Sequence, residues 1–94
     1  DTTDAATEHI ASVKTLKKYF ASYTHITDRT PEILSGLDSL EEVTINTCVG
    51  VTDVGIRTLA RLPRLRAVNV SGMPHVTTAV TAFFGPDVRV RYEP

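Results

Sequence analysis

Apolar residues return along this chain at a fixed interval. Ile10, Leu34 and Leu59 fall at one position, and Val13, Leu37 and Leu62 at a second. Leu16, Leu40 and Leu65 share a third, and Tyr19, Val43 and Val68 a fourth. A polar signal precedes each set: Thr3-Asp4, Thr27-Asp28, Thr52-Asp53 and Thr77-Thr78, offset by 24, 25 and 25 residues. A period within the roughly 20–50-residue range marks a solenoid, in which each unit buries its apolar face against its neighbours.

Within each unit the pattern changes from helical to alternating. Thr3-Asp4 predicts a helix start, since a hydroxyl or carboxylate oxygen accepts from free N–H groups of the first turn. Ala6, Ile10 and Val13 then lie at helical spacing up to about Lys14. From Leu16 the pattern alternates. Tyr19 and Ala21 take inward strand positions, and Lys18, Phe20 and Ser22 face the other way. In the second unit Thr30 before Pro31 predicts a late N-cap with Pro at N1, hence a short helix. Ile33, Leu34 and Leu37 form its apolar side, and Gly36 its stop. Leu40 to Cys48 follow as strand and turn.

The third unit is the most regular. Thr52-Asp53 caps, Ile56, Leu59 and Leu62 face inward, and Arg57 and Arg61 face outward. Pro63 ends the helix. Leu65 to Met73 repeat the strand and turn. The fourth unit is shortened. Thr77-Thr78 starts a helix through Phe83 or Phe84, Gly85-Pro86 breaks it, and Val88 to Tyr92 form a last alternating strand. That strand is expected about 20 residues after Val68. The reading is one α/β domain over residues 1–94, with units at about 1–24, 25–49, 50–74 and 75–94. A chain opening on a unit boundary and closing on a shortened unit suggests the C-terminal end of a longer array.

The motif Leu40-x-x-Val43-x-Ile45-x-x-Cys48-x-x-Val51-Thr52-Asp53-x-Gly55-Ile56-x-x-Leu59 resembles the cysteine-containing subclass of leucine-rich repeats. Similar repeats form the recognition arms of F-box proteins and occur in bacterial proteins. The resemblance extends over essentially the whole chain. It implies a short right-handed solenoid with parallel strands on the concave face and short helices on the convex face. It also implies a non-catalytic function, the binding of another protein. The sequence departs from the pattern at Met73 and Tyr23, which stand at the Cys position, and at Thr78, which stands at the Asp position. Met and Tyr fill the same inward slot. No F-box is present, so ubiquitin-ligase function has no support.

Charge changes the picture only locally. The net charge of −1 argues against wholesale attraction to nucleic acid or a membrane. Residues 1–53 nevertheless carry nine acids and four bases, about −5, and residues 54–94 carry six Arg and two acids, about +4. No apolar run approaches a membrane span, and no signal-peptide pattern opens the chain. The single cysteine, Cys48, forms no internal disulfide, which fits a reducing, cytoplasmic setting.

Stacked units place like strand positions about 5 Å apart, and this selects a recognition surface. The expected rows are Lys18, Glu42, Ala67, Asp87; then Phe20, Thr44, Asn69, Arg89; then Ser22, Asn46, Ser71, Arg91. The candidate partner-binding residues are therefore Lys18, Phe20, Glu42, Thr44, Asn46, Asn69, Ser71, Arg89 and Arg91. Phe20 stands out as an aromatic anchor, unless a one-residue shift exchanges it with Tyr19. Cys48 reads as a packing residue, because Met73 replaces it one unit later. His25 and His75 are two units apart, about 10 Å, too far to share a metal. The adjacent Glu41 and Glu42 point to opposite faces of a strand and form no acid/base pair. No phosphate loop, catalytic triad or metal cluster is evident, so no enzyme activity, cofactor or metal is expected.

Two further readings follow from the same residues. The array could serve as a regulatory or substrate-recruiting appendage of an enzyme encoded upstream. Arg57, Arg61, Arg64 and Arg66 invite a nucleic-acid reading, but there is little aromatic interleaving to stack on bases. An exposed first unit would also offer an edge for self-association.

Overall fold

The computed structural model describes residues 15–22 and 25–93. The expected first helix and Tyr23 lie outside these residues. Four short strands, β1 (Lys18–Ser22), β2 (Glu42–Asn46), β3 (Ala67–Ser71) and β4 (Arg89–Glu93), form one parallel sheet in the order β1-β2-β3-β4. Parallel neighbours need a crossover between them. The crossovers are helical: α1 (Arg29–Leu34), then α2 (Asp53–Thr58) continued by a 3-10 turn (Leu59–Arg61), then a second 3-10 segment (Thr78–Ala82). Among the described residues the architecture is therefore α/β, with one parallel sheet and few helices.

The strand register follows the sequence period through three strands. Tyr19 pairs with Val43, and Val43 with Val68, at offsets of 24 and 25 residues. Val68 then pairs with Val90, not Val88. This corrects the fourth row by two residues. The cause is the turn at Gly85-Pro86. The Val88 N–H donates to the Gly85 carbonyl at 3.1 Å, closing a four-residue turn with Pro at its second position. Asp87 and Val88 are used in that turn, so the strand begins at Arg89. Its N–H donates to the Arg66 carbonyl at 2.7 Å, as that of Ala67 does to Glu41 at 3.1 Å and that of Glu42 to Lys17 at 3.0 Å.

The second unit also starts differently from expectation. The α1 helix begins at Arg29, one residue before Thr30, and Thr30 is fully buried rather than a cap. The capping hydroxyl belongs to Thr27, which accepts from the Arg29 N–H at 3.2 Å. Thr52 accepts from the Val54 N–H, and Thr77 from the Ala79 N–H, each also at 3.2 Å. One rule thus serves three units: the signal Thr caps through the N–H two residues on. The expected shortness of α1 holds, since it spans six residues.

A single core lies between the sheet and the helical segments. The sheet contributes Tyr19, Ala21, Val43, Ile45, Val68 and Val70. The crossovers contribute Leu34, Leu37, Ile56, Leu59, Leu62 and Val80. Arg57 and Arg61 are exposed, as the helical spacing requires. Cys48 is buried, and its thiol donates to the Asn46 carbonyl at 3.0 Å. Met73 is buried at the same position one unit later. On β4 the inward residues Val90 and Tyr92 are only half-buried, and the Tyr92 hydroxyl donates to the Val76 carbonyl at 3.2 Å.

Candidate interaction face

Alternation along a strand sends every second side chain to one side. With Tyr19, Val43, Val68 and Val90 directed to the core side, their neighbours share the opposite, open face of the sheet. The register resolves that face into three rows. The first is Lys18, Glu42, Ala67, Arg89; the second Phe20, Thr44, Asn69, Arg91; the third Ser22, Asn46, Ser71, Glu93. All nine candidate residues lie on this face. Arg89 and Arg91 each move up one row from their expected places. Glu93 joins the face, and Asp87 leaves it for the preceding turn.

The rows are knit together across strands. The Lys18 ammonium lies 3.2 Å from the Glu42 carboxylate, linking β1 to β2. The Ser71 hydroxyl donates to Asn46 Oδ1 at 2.7 Å, linking β2 to β3. Along β4, Arg91 Nε donates to Glu93 Oε1 at 3.0 Å. Both ion pairs are well exposed, so each adds at most about 1 kcal/mol and mainly fixes side-chain positions. The small side chain of Ala67 leaves a dip bordered by Glu42, Thr44, Asn69, Arg89 and Arg91. Sequence patterning gave these residues a common face without showing the dip, which depends on Arg89 standing beside Ala67.

Phe20 is the apolar member of the second row. It is 68% exposed, whereas Tyr19 beside it is 6% exposed and belongs to the core. The shift that would exchange the two is thereby excluded. A phenyl ring held in water by a strand whose neighbouring tyrosine fills the core is a candidate anchor for another molecule.

The Thr-Asp signal divides its labour between two units. The Asp28 carboxylate does not cap its own helix. It accepts from the Thr52 N–H at 2.7 Å and from the Thr52 hydroxyl at 2.6 Å. Asp53 binds Thr77 in the same way, at 2.7 and 2.6 Å. This corrects the expectation that Thr and Asp both act as caps. The Thr caps within a unit, and the Asp clamps the next unit. A Cβ at Gly55 would collide with the Asp28 carboxylate, which accounts for glycine there. These carboxylates are committed to structure.

The remaining candidates do not converge. His25 and His75 are exposed at separate points. Among the described residues, no three His, Cys, Asp or Glu side chains are grouped to hold a metal ion. No described helix is long and apolar enough to cross a membrane. Of the arginines after residue 56, Arg66 lies 3.9 Å from Glu41, and Arg57 lies over the Phe83 ring, 5.7 Å from its centroid. No family model matches the sequence, and no curated protein matches it.

Proposed function

We propose that this chain is a leucine-rich-repeat array of the cysteine-containing type, curved as a short right-handed solenoid. On this reading its function is non-catalytic: it presents the open face of the sheet to another protein. The observation that carries the proposal is Phe20, 68% exposed in a row with Thr44, Asn69 and Arg91 across four parallel strands. An apolar anchor flanked by amide, hydroxyl and guanidinium groups suits a mixed protein surface. Of these groups, the Arg91 guanidinium is held before binding by its bond to Glu93, which lowers the ordering cost of association. The Asp–Thr clamps and near-constant strand offsets support the repeat reading, and a single cysteine, Cys48, buried in the core, suits a reducing, cytoplasmic setting.

A photoreactive phenylalanine analogue placed at position 20 tests this in cells. A protein partner crosslinked from position 20, but not from an exposed position on α1 such as Glu32, is the expected result. Equal labelling from both positions would contradict the proposal.

A further inference from the structure

A second groove lies on the helical side of the molecule, away from the sheet face. Val54, Arg57, Ala60 and Arg61 line one wall, and Ala82 and Phe83 the other. It encloses about 550 Å3. Val54 is 72% exposed although it is a large apolar residue. Both guanidinium groups reach solvent, and no carboxylate among the described residues pairs with either. Asp53 stands one helical turn before Arg57, where it could have formed a helix-surface ion pair. Both its carboxylate oxygens are instead taken by Thr77. The clamp between units therefore takes from Arg57 its nearest carboxylate, and the groove presents two guanidinium groups above an apolar floor.

We propose that this groove takes an acidic peptide that carries one large apolar side chain. The apolar side chain sits between Val54, Ala60, Ala82 and Phe83, and the flanking carboxylates pair with Arg57 and Arg61. Guanidinium groups suit carboxylates because their planar donors match two oxygens at once. A single-stranded nucleic acid fits less well. Base stacking needs a free aromatic face. The one ring in this groove, Phe83, already carries the Arg57 guanidinium on its face. The site is separate from the sheet face and does not depend on that face binding anything.

The test is selection of a random dodecapeptide phage library on the immobilised full chain, followed by affinity measurement of the selected peptides. The expected peptides place acids on both sides of one Leu, Phe or Trp. Their affinity falls about tenfold or more in the double variant Arg57→Glu/Arg61→Glu. It also falls in Val54→Asp, and is unchanged in Phe20→Ala/Arg91→Ala. The substituted side chains are exposed, and circular dichroism establishes that each variant is folded. The milder pair Arg57→Gln/Arg61→Gln replaces the charge reversal if that variant unfolds. Several results would overturn the proposal: no selected binder, binders without acids, or binding indifferent to the groove variants. So would loss of binding in the sheet-face variant, or tighter binding of a single-stranded oligonucleotide at Arg57 and Arg61. A concentration-dependent dimer dissolved by Arg57→Glu/Arg61→Glu would assign the groove to a second copy instead.

Discussion

Asp28 holds two units together with both oxygens of one carboxylate, and the cost of losing it can be stated. Asp28→Ala leaves the Thr52 N–H and hydroxyl without their acceptor. The expected loss is about 1–3 kcal/mol in urea unfolding. Gly55→Ala should cost a similar amount, about 1–3 kcal/mol, because its methyl meets that carboxylate. The two effects should not add. In the Asp28→Ala background the carboxylate contact is gone and only the closer-than-usual approach to the Cα of residue 28, 3.1 Å, remains, so the Gly55→Ala penalty should shrink. Additive penalties in that double-mutant cycle would show that the contact between them is not the cause. Gly72 has φ +63° and faces Thr47 Oγ1, which an added Cβ would approach to 3.0 Å. Gly72→Ala should therefore cost about 1–2 kcal/mol by thermal or urea unfolding. At this scale the sequence was partly legible. The recurring Thr and Asp were plain, but the direction of each Asp was not. A carboxylate that reaches 24 residues along the chain leaves no mark on local helix periodicity.

The elements follow from periodicity, and this makes their faces testable. Leu59 is fully buried at the end of α2, and Arg57 two residues earlier is exposed. Leu59→Ala should cost about 2–5 kcal/mol as a buried large-to-small change. Arg57→Ala should change stability by about 0.5 kcal/mol, even with its contact to Phe83. Comparable losses in equilibrium unfolding would mean that the helix faces have been exchanged. These faces could be read in advance because Ile56, Leu59 and Leu62 keep helical spacing. The last strand was harder. Val88, Val90 and Tyr92 alternate equally well in either register, so patterning alone could not choose between them. The turn closed by Gly85 and Val88 decides it, and a Pro-containing turn of four residues is the local signal that carried the information. The start of α1 was misplaced for a related reason. Pro31 fits any position in the first turn, whereas the cap depends on Thr27.

At the scale of the whole molecule, the parallel order β1-β2-β3-β4 gathers residues from across the chain onto one open face. Phe20 on β1 and Arg91 on β4 stand three strand spacings apart, about 14 Å, with Thr44 and Asn69 between them. An open, partly cross-linked surface of this width suits a folded partner better than a small molecule, which prefers an enclosed cleft. The identity of this face was legible in the sequence, because alternation assigns it. The placing of Arg89 beside Ala67 was not, because it rests on the register of β4. The sheet face and the helical groove also differ in what they should bind. The first combines an aromatic ring with neutral polar groups and charges of both signs, and the second combines an apolar floor with positive charge alone. Variants on one side should leave the other unaffected.

The most direct measurement is the affinity of the crosslinked partner for the wild-type chain and for Phe20→Ala/Asn69→Ala/Arg91→Ala, by calorimetry on samples of equal stability. Loss of the anchor and its neighbours should weaken binding by about 2 kcal/mol or more, roughly thirtyfold. An affinity within about twofold of wild type, a difference of less than about 0.5 kcal/mol, would contradict the assignment of the sheet face as the binding surface.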